Sequence, residues 1–173
     1  SDVTLTAEFT AARLNVPADR DAFRFEAPAD ATIVEQFVYR DPLVGQPSPN
    51  FTVRTLDGES VTRESLAGKV VVIDFWATWC KACFDALPEL ERVFQQYKDD
   101  DRVAFLAVNV EDETAVPDKA VESPFRGAKL TIPIYRDPQR SAHDAFAVQG
   151  MLPATVILGP DGRVQDYMRG FDE

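Results

Sequence analysis

The sequence predicts an α/β fold in which strands and helices alternate along the chain. Three observations predict it. The run Val70-Val71-Val72-Ile73-Asp74-Phe75 is rich in β-branched residues and reads as a buried strand, too short to span a membrane. Directly beyond it the apolar period changes: Cys83, Leu87, Leu90, Phe94 and Tyr97 recur at steps of four and three, one face of an amphipathic helix. A second apolar run from Val103 to Val110 then predicts a parallel, central neighbour of the first strand.

Residues 1–42 read differently. Val3, Leu5, Ala7 and Phe9 alternate with polar residues, as do Phe23 and Phe25, and Ile33, Val34, Phe37 and Val38 suggest a third short element. Two or three strands cannot bury a core alone, so this stretch is expected to be a β-rich extension. Phe23-Arg24-Phe25-Glu26-Ala27-Pro28 resembles the tail of a lipoprotein-carrier-like β domain; the competing reading is an extension that pairs along the sheet of the domain that follows.

The main domain is expected over residues 43–173. Asp41 to Phe51 is proline-rich, hence extended and stiff. Phe51 to Leu56 predicts a strand, with Asp57-Gly58 turning into Val61. Leu66 to Lys69 ends a helical turn, Gly68 capping it. The long helix runs out at Lys98-Asp99-Asp100-Asp101. Glu111 to Lys129 is acidic and then helical around Lys119 to Arg126, with Pro117 in the first turn. A strand over Ile132 to Tyr135 and a helix over Ser141 to Val148 follow, the latter carrying His143 on a polar, exposed face. Pro153 to Leu158 and Arg163 to Arg169 form a hairpin around Gly159-Pro160-Asp161-Gly162.

Composition bounds the function. A chain of 173 residues holds one well-packed domain and an appendage, and 45% hydrophobic residues is ordinary for a globular protein. A net charge of −11 argues against nucleic acid and anionic membrane surfaces as partners, and no apolar run has the length of a spanning helix. The chain opens on Ser1-Asp2 without methionine or a leader-like segment, so a processed or truncated piece is expected.

The chemistry centres on Cys80 and Cys83, the two cysteines of the protein. The pattern places Cys80 at the N-terminus of the long helix, where free backbone N–H groups and the macrodipole favour an anion. Its pKa should fall below the ordinary ~8.5, making it the exposed nucleophile, with Cys83 one turn inside as the buried partner. A zinc site would need four ligands, and His143 is the single histidine, so neither metal nor cofactor is implied. A structural disulfide would close only a tiny, already ordered loop. Inert buried thiols are the remaining alternative.

Asp74-Phe75-Trp76-Ala77-Thr78-Trp79-Cys80-Lys81-Ala82-Cys83 resembles the active-site segment of the thioredoxin superfamily, in the form found in extracytoplasmic thiol–disulfide oxidoreductases of the TlpA and ResA type. Pro88 matches the kinking proline of such helices, and Val44-Gly45 with Pro49 and Phe51 resembles the domain's opening motif. The resemblance implies a thioredoxin-like three-layer α/β/α sandwich with an N-terminal β-rich extension. It also implies exchange with protein thiol or disulfide substrates and a redox partner protein, on the outer side of the cytoplasmic membrane.

The same resemblance assigns site residues. Leu152-Pro153 matches the cis-proline position that faces the cysteines, where the preceding residue offers backbone to an extended substrate; Trp79 joins that surface. Asp74 matches the buried aspartate that accepts a proton from the second cysteine, although Ala107 stands where cytoplasmic thioredoxins have a lysine. Glu111, or Asp112 one residue on, matches an acidic residue placed just after the neighbouring strand. Lys81-Ala82 should favour thiolate and so a stronger oxidant, but one lysine is small beside the range of potentials such sites span, and both directions of exchange stay open. Two other classes compete: a peroxiredoxin-like peroxidase and a non-catalytic module on the same scaffold. The first would place proline and threonine ahead of the cysteine at offsets this chain lacks. The second would have lost a cysteine or the proline.

A domain of this kind closes with a helix after the final hairpin, and here only Gly170-Phe171-Asp172-Glu173 remain. Either residues 1–42 cover the sheet face left open, which is the expectation here, or a second molecule does, or the domain is only marginally stable.

Overall fold

The computed structural model describes residues 41–148 and 150–170. What the sequence predicts for residues 1–40, including coverage of the open sheet face and any pairing with the sheet, lies outside the described residues.

The chain forms β1 (Thr52–Thr55), β2 (Ser60–Thr62), a 3₁₀ turn (Glu64–Leu66) and β3 (Val70–Trp76). There follow α1 (Lys81–Tyr97), β4 (Val103–Asn109), α2 (Asp118–Gly127), β5 (Ile134–Arg136), α3 (Ser141–Ala145), β6 (Ala154–Leu158) and β7 (Val164–Arg169). The strands make one mixed sheet in the order β2-β1-β5-β4-β3-β6-β7. β3 pairs parallel with β4, and β4 parallel with β5, so α1 and α2 are the crossovers that parallel neighbours require. β6 is antiparallel to both β3 and β7.

Alternation along β3 divides the core. Phe75 packs against Phe146, which in turn packs against Phe51, on the face that α3 covers. Trp76 packs against Phe84 of α1 and Phe125 of α2 on the other. Helices thus lie on both faces of the sheet, as a three-layer sandwich requires.

Three expectations need correction. α3 ends at Ala145, not Val148, because Ala147 turns into positive φ (50°) and the Val148 N–H bonds back to the His143 carbonyl. His143 is not surface: it is 2% exposed, because so short a helix, tied to β1 through Ser141 Oγ and Thr52 O, has little outward face. The His143 N–H donates to Asp137 Oδ2 at 2.7 Å. Pro117 stands one position outside α2 as its N-cap, and Pro124 lies within it.

The proline-rich stretch before β1 runs along the outer edge of β7. Gly45 N–H donates to Val164 O, Val164 N–H to Gln46 O, and Ser48 N–H to Gly162 O. This covers part of an otherwise open edge. Buried Asp41 clips the stretch in place: it accepts Leu43 N–H at 2.9 Å and Arg169 Nη2 at 2.8 Å, and Arg169 also donates to Ala147 O. Removing one partner of a largely buried pair strands the other, so Asp41→Ala should lower unfolding stability by about 2 kcal/mol, read from denaturant melts. A variant as stable as the parent would show that the clip carries no load.

Candidate active site

The site is built where β3 ends. The chain leaves the sheet at Trp76, crosses Ala77-Thr78-Trp79, and enters α1 with Cys80 as its N-cap, in extended backbone (φ −86°, ψ 95°). Cys80 Sγ accepts the Cys83 N–H at 3.1 Å and is bonded to Cys83 Sγ in a disulfide, so the structure shows the oxidised form. A thiolate at Cys80 would meet the same N–H, which a neutral thiol would use less well. Cys83 is 0% exposed and Cys80 only 5%. The expected order of exposure is present, but Cys80 in this state is itself buried, not exposed.

Lys81 lies on the exposed side of α1. Its ammonium meets Asp85 Oδ2 at 2.6 Å one turn along α1, which offsets much of the positive charge the sequence placed beside the thiolate.

Glu111 follows β4 and reaches across to the turn before Cys80. It accepts Thr78 N–H at 2.6 Å, Thr78 Oγ1 at 2.8 Å and Asn109 Nδ2 at 2.9 Å. Asp112 caps its own loop at Thr114, so of the two acidic residues it is Glu111 that touches the active-site turn. Behind it, fully buried Arg136 donates to the carbonyls of Glu111 and Val116 and is ion-paired with Asp118. Thr78, Asn109 and Arg136 were missed by sequence reasoning. Asn109 and Arg136 left a signal, as polar residues on otherwise apolar strands.

Asp74 lies opposite Ala107 of β4 and Thr155 of β6. It is 3% exposed and accepts one hydrogen bond, from Thr155 Oγ1 at 2.7 Å. Burial pushes its carboxyl up to about 7, against the smaller downward pull of that hydrogen bond. Asp74 shares its face of β3 with Trp76, and Trp76 packs on Phe84, so α1 and its buried Cys83 lie over the same face.

Pro153 precedes β6, whose first residue, Ala154, pairs with Phe75 near the end of β3. The Leu152–Pro153 bond is cis, and the Pro153 carbonyl accepts Gly170 N–H. Leu152 is half-buried, whereas Trp79 is 68% exposed and Met151 is exposed as well. The sheet thus brings Cys80, Cys83, Trp79, Asp74, Glu111, Leu152 and Pro153 to one end. Among the described residues, no cluster of His, Cys, Asp and Glu has the makings of a metal site.

Dithiol–disulfide exchange is the chemistry such a pair is placed for, and the fold around it is that of the thioredoxin-like thiol–disulfide oxidoreductases. The chain belongs to the AhpC/TSA family, whose family model matches residues 44–167. It is 34% identical to the thioredoxin-like protein YneN of Bacillus subtilis (strain 168), over 73% of this chain and 71% of the relative. It is 32% identical to the thiol-disulfide oxidoreductase ResA of Bacillus anthracis, over 73% of this chain and 70% of that one. A secreted Mycobacterium tuberculosis disulfide oxidoreductase, homologous to E. coli DsbE, superposes with a TM-score of 0.56 at 25% identity, covering 68% of this chain and 81% of the other. Like these, the protein is a thiol–disulfide oxidoreductase. No helix among its described residues is long and apolar enough to cross a membrane.

The buried carboxyl makes stability depend on pH. Asp74 titrates near 3.8 when unfolded and at about 7 when folded, so between those values the folded state holds a proton the unfolded chain has lost. Stability therefore falls as pH rises from about 4 to 7 and levels off above. Asp74→Asn removes this loss, and the oxidised variant should exceed the parent at pH 8 by on the order of 4 kcal/mol while matching it near pH 4. Parallel denaturant melts at the two pH values check this; an equal gap at both would overturn it.

Proposed function

We propose that the protein exchanges its Cys80–Cys83 disulfide with extended segments of extracytoplasmic protein substrates, and is returned to its starting state by a redox partner protein. The observation that carries this reading is the position of Cys80, with its sulfur on the Cys83 N–H at the opening of α1. In the oxidising direction a substrate thiolate attacks Cys80 Sγ. The Cys80–Cys83 bond breaks, a mixed disulfide forms, and Cys83 departs as a thiolate that takes up a proton. A second substrate thiol then displaces Cys80, leaving the substrate oxidised and the pair reduced. The reducing direction is the reverse, with Cys80 attacking and Cys83 resolving.

Asp74 serves as the group that gives Cys83 its proton or receives it, a role suited to a carboxyl that titrates near neutrality. Glu111 acts as a positioning residue, since its carboxylate is spent on holding Thr78 and with it the Trp79–Cys80 turn. Trp79 and Leu152 form the substrate surface with Pro153. The Pro153 carbonyl is already bonded to Gly170 N–H, so pairing with a substrate strand falls to Leu152. The secreted nature of the Mycobacterium tuberculosis neighbour supports the extracytoplasmic setting. Nothing in the site favours a peroxidase, because Thr78, the hydroxyl next to the Trp79–Cys80 pair, donates to Glu111 instead of to a sulfur.

Cysteine variants test the proposal directly. With a disulfide-bonded model peptide, reduced Cys83→Ser should accumulate a stable mixed disulfide through Cys80, and Cys80→Ser should lose exchange altogether. Trapping through Cys83 would reverse the assignment, and peroxide turnover by Cys83→Ser with no disulfide peptide capture would replace it with the peroxidase reading.

A further inference from the structure

One pairing on the sheet has no place in the exchange steps. Asp74 and Thr155 oppose each other across antiparallel β3 and β6, and the Thr155 hydroxyl donates to Asp74 Oδ1 at 2.7 Å. Asp74 Oδ2 has no partner among the described residues. On the other flank β4 presents Ala107, whose methyl neither donates nor carries charge. We propose that Thr155 is the positioning residue of this carboxyl, holding Oδ1 and leaving Oδ2 as the oxygen that gains and loses the proton on the face α1 covers. The inference rests on the reading of Asp74 as proton carrier for Cys83.

The chemistry of the three possible neighbours decides why a hydroxyl is needed. An ammonium opposite Asp74 would keep the carboxylate ionised through neutral pH. An alkyl group would leave a carboxyl so deeply buried protonated well above neutrality. A hydroxyl donates to the charged form and tolerates the neutral one, so it moves the titration back toward neutrality without locking either state.

Other groups on this face do not take over that role. α1 brings Cys83 as the titratable group on its buried side, while Lys81, Asp85, Glu89 and Arg92 pair with one another along its exposed side. β5 brings Arg136, occupied by Asp118 and by the carbonyls of Glu111 and Val116; Glu111 itself is bonded to Thr78. β6 adds only Ile157 beside Thr155, and β7 adds exposed Asp166, opposite Ile157. Thr155 alone among them is bonded to Asp74.

The test uses the full chain, with the Asp74 carboxyl followed by carbon-13 NMR across pH in the parent, Thr155→Val and Thr155→Ser. Valine keeps the β-branched shape and removes the hydroxyl, and should raise the Asp74 midpoint by roughly one to two pH units. Serine should restore it to near the parent value. The pH profile of Cys83 alkylation in the reduced protein should follow the same shifts. An Asp74 midpoint unchanged in Thr155→Val, or one not restored by serine, would overturn the proposal. If the midpoint moves while Cys83 alkylation keeps its parental profile, also in Asp74→Asn, Thr155 still sets the carboxyl and it is the proton-carrier role of Asp74 that fails. Should Thr155→Val not fold, Thr155→Ala is read by the same titration.

Discussion

Strand β3 is flanked by β4 and β6 and covered by helices on both faces, and the rest of the domain follows from that burial. A strand without a wet side has its backbone satisfied by two neighbours, and its side chains must be apolar nearly throughout. Val71, Ile73 and Phe75 fill one layer and Trp76 the other. When such a strand ends, the chain has to turn sharply back over the sheet, and here three residues separate Trp76 from the cap of α1. The first turn of α1 is thereby held against the core by Trp76 and Phe84, and its Cys83 N–H is shared between the carbonyl and the sulfur of nearly buried Cys80. The burial that stabilises the strand also raises the Asp74 carboxyl.

The acidic excess of the chain is partly structural. Glu111 accepts Thr78 N–H, Glu91 accepts Thr131 and Ile132 N–H, Asp137 accepts His143 N–H, and Asp41 accepts Leu43 N–H. Each carboxylate closes a loop by satisfying donors that lie at the end of a strand or helix, and charge-assisted bonds of this kind are about twice as strong as neutral ones. Glu91 shows the consequence: its hydrogen bonds outweigh partial burial and hold its carboxyl below the ordinary glutamate range. A surface rich in carboxylates is thus compatible with rigid loops, because several of these groups are acceptors first and surface charge second.

Much of this was legible in the sequence. The β-branched run, the change of period at Cys83, the turn glycines and the second apolar run placed β3, α1, β4 and the final hairpin, because each is dominated by local periodicity. The cis bond at Leu152–Pro153 was legible only through resemblance, and so was the seat of Asp74 opposite Ala107. What could not be read depends on contacts between distant segments. His143 sits in a polar pattern and is nevertheless buried, because Asp137 and the shortness of α3 pull it inward. Thr155 looks like an ordinary β-branched strand residue until the register with β3 sets its hydroxyl on Asp74. Arg136 would be a surface charge in any propensity scheme, yet three backbone and carboxylate partners bring it fully inside.

The same distinction bears on what tunes the disulfide. Lys81 stands next to Cys80 in sequence and is the obvious candidate, but its side chain is 87% exposed and paired with Asp85. An exposed charge acts through water and contributes about 1 kcal/mol or less to a thiolate. The Cys83 N–H touches the sulfur directly at 3.1 Å in surroundings where Cys80 is nearly buried. A hydrogen bond to a charged group in such a place contributes roughly 1.5–3 kcal/mol. Backbone geometry at the start of α1 therefore outweighs the residue that sequence proximity suggests.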